Sequence, residues 1–239
     1  LTELLENLSA SLDGSDGGIY SQKRKVKNVL LVTITSNRGL CGGFNTYIIK
    51  KTKDLISNKY ESSNVSIISI GKKSSEYFTK NGFNVINSHD NLFSELTFDN
   101  VSVIAEGIMD HFREGNYDRV MLVYNQFKNA ATQIIMAENY LPIDSVETES
   151  AIIGDYLFEP TKLEIIKQLI PKSLKTQLFK AVLDSHAAEH GARMTAMHKA
   201  TDNASELKKE LTLTYNKARQ AAITGEILEI VGGAEALNG

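Results

Sequence analysis

One cysteine in 239 residues leaves Cys41 nothing to pair with inside the chain, which excludes an internal disulfide and fits a reducing compartment. No apolar run approaches the length of a membrane span, and nothing in the opening residues reads as a signal or transit peptide. Membrane association is therefore expected only through a partner. An excess of positive charge is also missing: 26 Lys and Arg against 29 Asp and Glu give a net charge of −3, which argues against nucleic acid as the main ligand. The basic residues Lys23, Arg24, Lys25 and Lys27 gather beside a strand, where they read as a solvated edge rather than a phosphate track.

Catalytic motifs are just as scarce. The glycine turn Gly39, Gly42 and Gly43 follows a buried strand and leads into a helix, the place where a nucleotide-binding domain holds phosphate. Its spacing fits neither G-x-G-x-x-G nor G-x-x-x-x-G-K-[ST], and no Lys-Ser or Lys-Thr pair closes the loop, so a tight strand-to-helix turn accounts for it. His186, Glu189 and His190 match H-x-x-E-H in letters, and histidines four apart do share a helix face. A zinc peptidase also needs a third ligand from a second helix, and no such element is apparent. The histidines therefore read as part of a helical seam. With no Gly-x-Ser-x-Gly elbow, no Cys/His pair and no carboxylate dyad, the sequence assigns no catalytic residue, cofactor or metal. Cys41 in its glycine turn reads as a small buried residue.

What the chain does contain is a strand-helix alternation followed by one long helical run. "VKNVLLVTITS" has the continuous β-branched character of a strand buried on both faces. Helices are expected at 46–57, 74–81 and 99–114, and strands at 65–71, near 83–87 and at 117–127. A last strand at 131–142 should pair antiparallel at an edge, and "YLFEP" could add a brief one before a helix begins near Thr161. The fold class is α/β: a Rossmann-like, mostly parallel sheet inserted between two helical arms. The expected divisions are 1–13 for the first arm, 14–160 for the sheet domain and 161–239 for the second arm. The polar stretch 13–25 is too rich in Gly, Ser and Asp to be expected to pack.

Between Pro171 and Val231 the sequence has no internal proline and reads as one helix, with Pro171 in its first turn and Gly232-Gly233 as its stop. Such a helix would be about 90 Å long, against some 40 Å for the globule that precedes it, so most of it is expected to stand clear. Its apolar stripe follows coiled-coil spacing through His190, Met194, Met197, Thr201, Ala204, Leu211, Tyr215, Ala218 and Ala222. The opening "LTELLENLSASL", with Leu1, Leu4, Leu5, Leu8 and Leu12 at helical spacing, could cover only part of it. Either another chain is expected to cover the rest, or the sequence begins partway along a longer first helix. Farther on, Arg219, Gln220, Thr224 and Glu226 put polar groups on the helix before it turns apolar at Ile227, Leu228, Ile230, Val231 and Ala234. A tip so poor in charge calls for a complementary socket.

Four stretches carry a family resemblance: "SNRGLCGGFN" after the first strand, "FEP" at 158–160, "EHGARMTAMHKATDNA" at 189–204 and "LTLTYNKARQAAITGEILEIVGGAEAL" at 211–237. They strongly resemble the gamma subunits of F-type ATP synthases, over essentially the whole chain, except that the family's long opening helix is present only in its last turns. The resemblance implies a rotor shaft. Its N- and C-terminal helices would form an antiparallel coiled coil inside a ring of three alpha and three beta subunits. Its α/β domain would form a foot on the epsilon subunit and the membrane c-ring. Proton-driven rotation would then be coupled to ATP synthesis or hydrolysis, by a subunit with no active site of its own. Residues matching Arg219, Gln220, Thr224 and Glu226 contact loops of the ring in that family, while Gly225 stands where a polar helix former is more usual. The absence of a cysteine-bearing insertion of the chloroplast kind points to a bacterial enzyme, peripheral on the inner face of the cell membrane. Two other readings make different predictions. A free-standing α/β enzyme would use the glycine turn or the histidine pair, and a generic coiled-coil adaptor would show no preference for alpha and beta subunits.

Overall fold

Seven residues that are nearly all apolar or β-branched make Asn28–Ile34 the central strand, β1. It alternates between two covered faces: Leu30, Val32 and Ile34 enter one hydrophobic cluster, and Val29 and Leu31 enter another. The computed structural model describes residues 16–22, 24–143 and 162–239. It divides into two units, Leu1–Thr195 and Ala196–Gly239.

In the first unit β1 is followed by helix α1 (Phe44–Asp54), which runs into a π-helical turn at Leu55–Lys59. Then come β2 (Asn64–Ile70), α2 (Lys72–Lys80), β3 (Val85–Ser88), a short 3-10 turn at Asp90–Ser94, and α3 (Phe98–Arg113). Strands β4 (Arg119–Asn129) and β5 (Thr132–Leu141) form a hairpin. Among the described residues the five strands make one sheet in the order β3-β2-β1-β4-β5. The first four run parallel, and β5 pairs antiparallel with β4 at the edge. The expected alternation is thus observed, with boundaries shifted by one to three residues.

Each helix is placed by its apolar spacing. Thr97 caps α3, its hydroxyl accepting from the Asn100 amide at 3.3 Å. One face of α3, Val101, Ile104, Ala105, Ile108, Met109 and Phe112, is buried on the sheet. On the opposite face α1 contributes Ile48, with Leu55 and Tyr60 from the π turn and its end.

The stretch 13–25 was expected to stay unpacked, and the part described does pack. Asp16–Ser21 forms a 3-10 turn, Tyr20 lies against the main cluster, and its carbonyl accepts from the Ile143 amide at 2.7 Å. Arg24 stacks over Phe112 at 5.1 Å and donates to the Phe112 carbonyl at 3.2 Å, so one member of the basic cluster serves as a clamp. The opening helix and the "YLFEP" strand lie outside the described residues.

Helix α4 runs from Lys162 to Asn238, 77 residues without interruption. The sequence placed a break at Pro171 and a stop at Gly232-Gly233, and both are overridden. Proline inside a helix costs about 3 kcal/mol. Ile170, Leu174, Leu178 and Val182 are each buried on the sheet, and at about 1.5–3 kcal/mol apiece their burial outweighs that cost. Gly232 and Gly233 do not adopt positive φ, so neither forms a left-handed cap. Each then costs only about 1 kcal/mol relative to alanine.

Candidate functional site

In a doubly wound sheet a ligand would enter at the carboxyl ends of β1 and β4, where the strand order reverses. Here the chain itself fills that crevice. Asn125 at the end of β4 donates to the Phe44 carbonyl at 3.1 Å. Cys41 and Phe44 are buried against Ala188 of α4. Ser36 holds the turn together: its hydroxyl donates to the Arg38 carbonyl at 2.6 Å, and its amide to the Asn45 side chain at 2.9 Å. Leu40 and Gly42 adopt positive φ, 63° and 59°, and Leu40 is exposed. The glycine turn is a strand-to-helix connection with α4 docked on it, and Cys41 is the small buried residue expected.

The same stretch of α4 is fastened on two sides. Arg193 donates to the carbonyls of Arg38 and Gly39, each at 3.4 Å, while its other nitrogen pairs with Glu189 at 2.6 Å. Thr195 donates to the Ala130 carbonyl of the β4–β5 turn at 3.1 Å. Beside it Gly191 lets the helix approach so closely that a Cβ would lie 3.1 Å from both Ala130 Cα and Ala130 O. Farther back, Glu138 of β5 receives hydrogen bonds from Tyr124 at 2.9 Å and Gln177 at 2.5 Å. Burial, then the neighbouring Glu138 carboxylate, pushes the Tyr124 hydroxyl well above its usual range, so it remains a donor. The sequence reading assigned no role to Gly191, Arg193 or Thr195. A glycine inside a helical run is the signal of close approach that could have found them.

His186 and His190 come together, their Nε2 atoms 3.3 Å apart, with Phe93 stacked on His186 at 5.5 Å. They were expected on the helical seam. His186 instead packs on the first unit, because the turn at Asp90–Ser94 supplies an aromatic partner.

In the second unit the seam residues Met197, Thr201, Ala204, Leu211, Tyr215, Ala218 and Ala222 are all exposed, as is Met194 at the end of the first. From Met197 onward every residue described is exposed except half-buried Gly225. Met197 and Ala218 stand three heptads apart, so a straight helix carries the stripe around by about 60°, and a left-handed supercoil would keep it facing one partner. Arg219 and Glu226, seven apart, share one face, and Gln220 and Thr224, four apart, share the next. Among the described residues none of these four makes a hydrogen bond or ion pair, so their polar groups are free for another molecule. Apolar Ile227, Leu228, Ile230, Val231 and Leu237 then cover about half of the circumference, all at least half exposed. An apolar face that wide calls for a covering surface.

The family model for ATP synthase matches residues 1–237. The ATP synthase gamma chain of Flavobacterium johnsoniae is 59% identical over all of this chain and 83% of its own length. The chain belongs to the ATP synthase gamma chain family. Solved structures agree with the gamma chain fold. A chain of the Euglena gracilis mitochondrial ATP synthase, in an assembly described as OSCP/F1/c-ring, superposes with a TM-score of 0.70 at 25% identity, covering 97% of this chain and 79% of that one. A chain of the Tetrahymena thermophila enzyme, described as central stalk/c-ring, gives 0.61 at 26% identity, covering 84% and 92%. No described helix is long and apolar enough to cross a membrane.

Proposed function

We propose that this gamma chain is the central shaft of a rotary ATP synthase, with no active site of its own. The observation that carries the reading is the exposed, regularly spaced stripe on the second unit, joined to an apolar tip that only a surrounding socket could satisfy. A shaft must be stiff along its axis and unlike from side to side. An unbroken α4 supplies the first property. The second follows from Arg219 and Glu226 on one face and Gln220 and Thr224 on the next, because a rotating body shifts each catalytic site only through contacts that differ between states.

The partners follow from the same reading: alpha and beta subunits around α4, and the epsilon subunit and c-ring at the sheet-bearing unit. The chain would then sit peripherally on the inner face of a bacterial membrane, turned by proton flow. Arg219, Gln220, Thr224 and Glu226 are proposed to meet loops of the alpha-beta ring. The paired substitution Arg219→Ala with Gln220→Ala is expected to weaken coupling between ATP hydrolysis and rotation, or assembly of the complex, while the sheet domain keeps its fold. Rotation at the parent rate and torque in the double variant would remove these residues from the coupling path.

A further inference from the structure

We propose that His186 and His190 form a two-point chelate for a divalent transition-metal ion of the zinc type, on the part of α4 that docks against the sheet domain. This goes beyond the shaft reading and does not depend on it. Two nitrogens held at about 2.0–2.1 Å from a tetrahedral zinc lie about 3.3–3.4 Å apart; the two Nε2 atoms are separated by 3.3 Å in a hydrogen bond between edge-to-face rings, which a bound ion would replace. Stacking on Phe93 holds the His186 ring. His190 is exposed, so its ring can turn to aim a lone pair at the ion, and the outer coordination positions stay open to water.

Glu189, which completes the H-x-x-E-H letters, is buried and bound by Arg193 at 2.6 Å. It is therefore not a third ligand, and the Arg193 charge beside the site is neutralised. This separates the arrangement from a peptidase centre: two protein donors on one helical turn with water in the remaining positions. A bound ion would close a ring across the turn immediately before Gly191, where α4 makes its closest approach to Ala130.

The test is calorimetric titration of zinc alone into the chelator-stripped 239-residue chain, with the fold of each variant checked by circular dichroism. The parent should bind one equivalent saturably. His190→Ala, at an exposed position, should weaken binding by at least about tenfold. His198→Ala, which removes an exposed histidine farther along the helix, should bind as the parent does. Absence of saturable binding by the parent, parent-like binding by His190→Ala, or an equal loss in His198→Ala would each overturn the assignment.

Discussion

Gly71 stands between β2 and α2 with φ of +101°, and a methyl group added there would lie 2.0 Å from the Thr35 carbonyl oxygen. Neither the backbone conformation nor the space admits a side chain. Gly71→Ala is therefore expected to cost at least about 2–3 kcal/mol, read as a lowered denaturation midpoint. A variant as stable as the parent would show that the β1–β2 end is looser than this geometry requires. His186 provides a second residue-level test. Burial, then His190, lowers its pKa, with Glu189 opposing and Arg193 adding to the effect. The unfolded chain thus binds this proton more tightly than the folded one. The contribution to stability is whole above the ordinary value of about 6.5 and is lost as pH falls through the lowered folded-state value. His186→Gln should flatten the decline in melting temperature between about pH 7.5 and pH 5.5 relative to the parent. An unchanged slope would mean that His186 is not held neutral. Neither residue's role was legible in the sequence. Gly71 is an ordinary glycine until Thr35 is brought beside it, and His186 reads as a seam residue until Phe93 arrives from a turn more than ninety positions earlier.

The elements themselves were far more legible, because burial on both faces leaves a continuous apolar run in β1, and the 3-4 spacing of α3 survives without any alignment. The ends were less so. Pro171 and Gly232-Gly233 are valid local signals of a break and a stop, and α4 passes through both. Local propensity differs by about 1–3 kcal/mol at such sites, while the packing that opposes it at Pro171 comes from strands far away in sequence. That packing can be tested. Leu178, fully buried where α4 crosses the sheet, should lose about 2–5 kcal/mol of stability on replacement by alanine, measured by urea unfolding of the sheet-bearing unit. A loss below about 1 kcal/mol would show that α4 contributes little to the main core, and the account of the uninterrupted proline would then fail.

On the scale of the molecule, the sheet-bearing unit hides its apolar surface and the second unit displays it. The sequence revealed that contrast through spacing alone, since a stripe of Met, Ala, Leu and Tyr with no complementary stretch of comparable length implies a partner. What spacing could not supply was the family. It came from the specific wording of residues 189–204 and 211–237, and the family model that matches residues 1–237 agrees with it. The polar quartet at 219–226 remains the least legible part, because among the described residues its four side chains make no hydrogen bond or ion pair, and the role proposed for them depends on loops of other subunits. The most direct measurement is single-molecule observation of an alpha-beta ring assembled around this chain, with a probe fixed to its sheet domain. The account predicts unidirectional, stepwise rotation of the probe on addition of ATP. A ring that hydrolyses ATP at full rate while the bound chain stays still would contradict it.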